Sequence, residues 1–157
     1  MNNAIKLIIS IAVPQIVGIV SGLVTMQGIR EWYPTLAKPP FTPPSWVFGP
    51  VWTLLYIMMG VAAFLVWRKG LHVSGVKTAL YLFLIQLALS GVWSLLFFGL
   101  RAPGIAFAEI IVLWCAIAAT MVAFFEQSKW AGGLLIPYWL WVSFAAVLNF
   151  WLWRLNT

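Results

Sequence analysis

The chain has 157 residues, 64% of them hydrophobic and 8% charged, with a mean hydropathy of +1.01. A water-soluble domain of this length could not bury so much apolar surface, so the composition points to an integral membrane protein of one domain. The net charge of +6 comes from nine basic residues scattered near the ends of apolar runs; with no basic face they argue against nucleic acid and read as interfacial anchors against lipid headgroups.

Five apolar runs are each long enough, at ~1.5 Å per residue, to cross a ~30 Å hydrocarbon core as a helix. Membrane-spanning strands would be shorter and would alternate in polarity. The predicted fold is therefore an all-α, five-helix transmembrane bundle. The first span covers residues 4–27. It follows a single Lys6, has no small-residue cleavage site, and reads as a retained helix rather than a signal peptide. Pro14 lies within it and is expected to kink it. Gly18 and Gly22 form a GxxxG pattern that permits close helix approach, inside the bundle or in a dimer.

Residues 32–52 follow, with Pro39, Pro40, Pro43 and Pro44 set among Trp32, Trp46 and Trp52. Proline lacks an N–H and has a fixed φ, so this stretch is expected to be non-helical, a stiff extended aromatic connector that caps a cavity between helices 1 and 2. Ser45 is the expected N-cap of the second span, residues 45–67, which ends at Arg68, Lys69 and Gly70. The third span is 78–100. After the short Arg101–Ala102 turn, Pro103 opens the fourth, 103–126. Trp130, Gly132 and Gly133 mark a turn before the fifth, 133–153, in which Pro137 is a second expected kink. Short loops make successive helices antiparallel and put the termini on opposite sides. Lys6, Arg68, Lys69, Lys77 and Lys129 fall on one side, and Arg30, Lys38, Arg101 and Arg154 on the other. This near-balance leaves orientation open, with a slight lean to a cytoplasmic N-terminus.

Conventional catalytic inventory is sparse. His72 is the only histidine, no aspartate occurs, and Cys115 is the only cysteine. A Ser-His-Asp triad, an intrachain disulfide, a metal cluster and a phosphate loop are all ruled out or unsupported. Glu109 is the one acid well inside a span, which makes it a functional candidate by default; the alternative is that, about two turns from the start of its helix, it reaches the interface or pairs with Arg101.

Three stripes recur at helical spacing: Gln86, Ser90, Trp93 and Phe97 on helix 3; Tyr138, Trp141, Ala145 and Asn149 on helix 5; Trp52 and Tyr56 on helix 2. Each alone reads as interhelical packing with polar glue. Together, beside an aromatic cap, they point to a pocket for a flat, apolar, conjugated ligand with a few polar edges.

These residues resemble the TspO/MBR family, the tryptophan-rich sensory proteins related to the mitochondrial translocator protein. The resemblance runs through Trp32-Tyr33, Leu36, Lys38-Pro39, Pro43-Pro44, Phe48, Trp52 and Leu55-Tyr56, then Gln86, Trp93-Ser94 and Phe97-Phe98, and finally Pro137-Tyr138, Trp141, Ala145 and Leu148-Asn149. It covers essentially the whole chain and implies a bacterial member in the cell membrane, a homodimer, and a cavity capped by the first loop. The implied ligand is a porphyrin such as protoporphyrin IX, with no other cofactor; sterols and benzodiazepine-type drugs bind some members. By motif position Trp52 and Trp141 match tryptophans implicated in light-dependent porphyrin degradation, and Tyr56, Trp93, Tyr138, Ala145 and Leu148 match pocket positions.

The candidate ligand-binding set is Trp32, Lys38, Phe48, Trp52, Tyr56, Gln86, Ser90, Trp93, Phe97, Glu109, Tyr138, Trp141, Ala145, Leu148 and Asn149, with Arg30 as a further cation for an acidic ligand edge. Phe41 stands where the family's loop often has Trp, and Ser90 where many members have Asn. In the sterol-type motif formed by Val147, Phe150 and Arg154, Phe150 replaces the expected Tyr. The function that follows is a membrane binding or sensory protein for tetrapyrroles. A photochemical activity on the bound porphyrin, a transporter of hydrophobic ligands, and a membrane scaffold without ligand chemistry are the alternatives.

Overall fold

The computed structural model describes all 157 residues. It contains five long helices and no strands: α1 (Asn3–Glu31), α2 (Phe48–Trp67), α3 (Val76–Ser94), α4 (Pro103–Gln127) and α5 (Lys129–Leu155). All five are long and apolar enough to cross a bilayer. The protein is a multi-pass integral membrane protein. Only helices satisfy their own backbone polar groups in hydrocarbon, which is why so apolar a chain forms this and nothing else.

Helix ends follow local chemistry. The Asn2 side chain accepts from the Ala4 N–H at 2.9 Å and caps α1. Gly70 (φ 106°) lets the chain turn left-handed after α2. Pro103 occupies the first turn of α4, where its missing N–H costs nothing. The turn before it forces Arg101 to φ 54°, a left-handed conformation unusual for a non-glycine residue, and Arg101 donates to the Glu31 carboxylate at 3.1 Å.

The helices close a ring in which α1 packs on α2 and α3, α2 on α5, α5 on α4, and α4 on α3. The core between them is apolar and aromatic, with Phe83 stacked on Phe124 at 5.8 Å and Met59, Ile110, Ile117 and Leu135 fully enclosed. α1 is the least buried member, at 17% of its span against 28–39% for the others, so it forms an outer wall rather than a core strut.

Several expectations from the sequence need correction. The proline-rich stretch is extended only in its middle: its ends wind into 3-10 turns at Tyr33–Thr35 and Ser45–Val47. Ser45 therefore opens a 3-10 turn and does not cap α2, whose N-cap, Val47, supplies no side-chain acceptor. α1 runs on to Glu31, four residues beyond its expected end. α5 begins at Lys129 rather than at Gly133, because the Ser128 hydroxyl caps it by accepting from the Ala131 N–H at 3.3 Å. Gly132 is not a turn residue; a Cβ there would stand 2.3 Å from the Phe125 ring, so the glycine lets α4 and α5 cross closely.

One feature was not legible at all. α3 does not simply end at Ser94 but widens into a π turn over Leu95–Gly99, with Leu100 N–H bonding to the Leu95 carbonyl at 2.8 Å. Such widened turns concentrate at functional sites. Here it lets two consecutive side chains, Phe97 and Phe98, both be buried.

Candidate ligand cavity

A cavity of about 880 Å³ lies between α1, α2, the π turn of α3, and α5. That is within the range of small-molecule sites, roughly 300–1,000 Å³. Its existence follows from how α1 and α2 diverge. Near one end the two backbones touch: a Cβ on Gly60 would lie 2.7 Å from Ile11 Cα and from the Ser10 carbonyl oxygen. Further along, Gly18 accepts the Tyr56 ring, where an added Cβ would be 2.8 Å away. Beyond that the helices part, and at Gly22 and Gly49 an added Cβ would meet nothing within 4 Å; both glycines line the cavity. The gap opens toward the membrane side of α1, where Ile19, Leu23 and Met26 line the cavity and are also exposed.

The interior is aromatic. Trp52 and Tyr56 of α2 lie tilted together at 5.7 Å. Trp93 stacks on Phe97 at 5.2 Å and 21°. Trp141 meets Phe48 edge-on at 6.2 Å and Phe144 at 5.6 Å. All seven line the cavity, as do Ala145, Leu148 and Asn149. The periodicity therefore brings together ten of the singled-out and neighbouring side chains from four elements onto one surface.

Polar groups fix this wall from behind. Asn149 Oδ1 accepts from the Trp93 indole N–H at 3.0 Å, and its Nδ2 donates to the Pro103 carbonyl at 2.8 Å, so one amide sets the Trp93 ring plane and ties α5 to the start of α4. The Tyr56 and Ser90 hydroxyls are hydrogen-bonded at 3.1 Å. Tyr138 donates to Gln86 Oε1 at 2.8 Å. Gln86, Ser90 and Tyr138 thus tie α2, α3 and α5 together behind the lining rather than facing the cavity. A buried polar pair of this kind is costly to break because each partner loses its only substitute for water.

Other candidates also stand off the lining. Trp32 packs edge-on against Phe97 at 5.4 Å, one layer back. Lys38 lies over the Tyr33 ring at 4.8 Å and donates to the Leu36 carbonyl at 3.1 Å, which fixes the lid rather than placing a charge inside. The cation on the lining is Arg30. Glu109 sits on α4 away from the cavity, and the expected pairing with Arg101 is overturned because Arg101 binds Glu31. Both Glu109 carboxylate oxygens are buried without a hydrogen-bond partner.

The lid is held at two places. Asn156, just past α5, receives the Ala37 N–H on Oδ1 and donates Nδ2 to the Ala37 carbonyl, both at 2.9 Å. Phe41 meets Phe144 edge-on at 6.3 Å, which docks the middle of the loop against the cavity wall.

The sequence did not single out Tyr33, Phe98, Phe144 or, apart from Arg30, the α1 residues as lining. Tyr33 is buried, and its hydroxyl has no partner within the chain; the Trp141 indole N–H is likewise unpartnered and buried. Both atoms are enclosed, so each is a buried donor without a protein partner. For Tyr33 the sequence signal was its place beside Trp32; for α1 there was none, since its apolar residues show no stripe.

Residues 10–154 match the TspO/MBR family. The chain belongs to that family. A tryptophan-rich protein TspO of Archaeoglobus fulgidus is 41% identical over 155 residues, covering 98% of this chain and 99% of the relative. One from Chlorobaculum tepidum is 44% identical over 140 residues, 89% of each chain. The human translocator protein is 42% identical over 131 residues, 83% of this chain and 77% of the relative. The TspO/MBR match runs from inside α1 to the end of α5, and so contains the whole cavity wall.

Proposed function

We propose that this protein binds porphyrins of the protoporphyrin IX type and serves as a membrane sensor or handling protein for them. The observation that carries the reading is the cavity itself: about 880 Å³, walled by Trp52, Trp93 and Trp141 with further aromatic rings, and bearing few polar groups. Indole and phenyl faces suit offset stacking against a flat conjugated ring. Arg30 on the lining suits a propionate. A relative from Cereibacter sphaeroides carries the name tryptophan-rich sensory protein, which accords with a sensing role.

Titration of the detergent-purified protein with protoporphyrin IX, followed by tryptophan quenching, tests this. Saturable quenching is expected, with affinity at least tenfold weaker in Trp52→Phe/Trp141→Phe. Absence of saturation, or unchanged affinity in the double variant, would sink the reading. Illumination of the complex then separates binding from chemistry. Trp52 and Trp141 would lie against the photo-excited ring and react by proximity; porphyrin loss no faster than for free porphyrin leaves binding alone.

A second reading, transfer of the ligand to or from the bilayer, is favoured by the gap between α1 and α2, whose rim residues are exposed on the membrane side. The name of the human relative, translocator protein, is in keeping with it. Exchange of porphyrin between proteoliposomes and acceptor vesicles, faster than from protein-free liposomes, is the expected result.

A further inference from the structure

The opposite end of the α1–α2 pair carries a second depression. It holds about 350 Å³ and lies on the outer face of the bundle, between the start of α1, the end of α2 and the start of α3. Val13, Ala63, Leu80 and Phe83 supply its apolar floor, and Trp67 and Lys77 stand at its margin. Lys6 joins them: its ammonium donates to the Trp67 carbonyl at 3.4 Å and lies 5.8 Å from the Trp67 ring. Arg68 follows Trp67 and is exposed.

This end carries an excess of basic charge. The chain has three acids, Glu31, Glu109 and Glu126. Glu31 is bound to Arg101 beside the lid and Glu109 lies within α4; Glu126, near the end of α4, is the one acid on this side, against Lys6, Arg68, Lys69, Lys77 and Lys129, and it does not line the depression. Neither Lys6 nor Lys77 is in a salt bridge. The three bordering helices are spanning segments, so the apolar floor faces hydrocarbon while the lysines sit at helix ends, at headgroup level. An apolar slot ending in unneutralised ammonium groups is complementary to an amphiphile with a long chain and an anionic head.

We propose that this groove is a site for an anionic phospholipid of the surrounding bilayer, with one acyl chain in the slot and the phosphate between Lys6 and Lys77. The Trp67 ring, already oriented by Lys6, borders the glycerol region, where indole favours the interface. The site is separate from the aromatic cavity, at the other end of α1 and α2, and does not depend on what that cavity binds.

Native mass spectrometry of the purified protein, equilibrated with phosphatidylglycerol or with phosphatidylcholine of the same acyl chains, tests the proposal. One phosphatidylglycerol per protomer is expected to remain bound, at least fivefold more than phosphatidylcholine. Lys6→Gln/Lys77→Gln should reduce that retention at least fivefold, and Lys6→Arg/Lys77→Arg should preserve it. Lys129→Gln/Arg154→Gln removes the same charge away from the groove and should leave retention unchanged. Equal retention of the two lipids, or equal losses in the two glutamine double variants, would overturn the proposal in favour of general surface attraction. Because Lys77 is exposed, Lys77→Gln alone keeps the test open if the double variant folds poorly; phosphatidylglycerol retention in it equal to wild type also overturns the site.

Discussion

The two halves of the α1–α2 pair are built from the same kinds of residue and do opposite things. At one half, Gly60 lies against the backbone of Ser10 and Ile11, and the helices are sealed. At the other, Gly22 and Gly49 face open space, and the helices part around an aromatic cavity. Glycine in the first half removes a Cβ so that backbones can touch, the small-residue contact that drives helix association in lipid. In the second half it keeps a wall thin. The sealed end acts as a fulcrum, and the splay beyond it creates the space that Trp52, Trp93 and Trp141 line.

The largest effect expected from breaking this contrast is at the seal. Gly60→Leu must displace backbone, not a mobile side chain, and should destabilise the protein by about 3 kcal/mol in a denaturant titration. Gly22→Ala should leave stability unchanged or raise it by up to about 1 kcal/mol, since it clashes with nothing and improves helix propensity. Comparable losses from both would erase the distinction between the halves.

At the open half, Asn149→Leu should cost about 2 kcal/mol of stability by stranding the Trp93 N–H and the Pro103 carbonyl. It should also weaken porphyrin binding, because the Trp93 ring loses the bond that sets its plane. A variant that unfolds early but binds normally would show that Asn149 serves packing alone.

The lid predictions are smaller. Replacing Pro39-Pro40 by Gly-Gly enlarges the conformational freedom of the unbound loop and should weaken ligand affinity about tenfold while lowering stability by no more than about 1 kcal/mol. Asn156→Ala removes both hydrogen bonds to Ala37 and leaves the Phe41–Phe144 contact in place; a loss of about threefold in affinity is expected from an exposed pair of hydrogen bonds worth about 1 kcal/mol net or less, with little change in unfolding. An Asn156→Ala effect on stability larger than on binding would mean that the clamp secures the end of α5 rather than the lid.

Hydropathy alone was enough to read five spans, and helical spacing placed Trp52, Tyr56, Trp93, Phe97, Trp141, Ala145 and Asn149 on faces that do converge. What spacing could not decide is which members of a stripe face the cavity and which bond to a neighbouring helix. Gln86, Ser90 and Tyr138 share faces with lining residues yet point to partners on α2, α3 and α5, because interhelical distance, not period, decides what a polar side chain reaches. The π turn was hidden for a related reason: a 3.6-residue period assigns Phe97 and Phe98 to different directions, and only the widened turn buries both. The contribution of α1 was invisible because the splay starts from the contact at Gly60, far in sequence from the α1 residues it exposes to the cavity. The start of α5 was missed because Gly132 and Gly133 read as a turn, whereas Gly132 serves close passage against α4 inside a continuous helix.

The most direct test is a structure of the protein with protoporphyrin IX bound. The account predicts the macrocycle inside the splayed half, stacked among Trp52, Trp93 and Trp141, with a propionate toward Arg30 and the lid closed over it at Ala37. Porphyrin on the outer helix faces, with the cavity collapsed or filled by side chains, would contradict it.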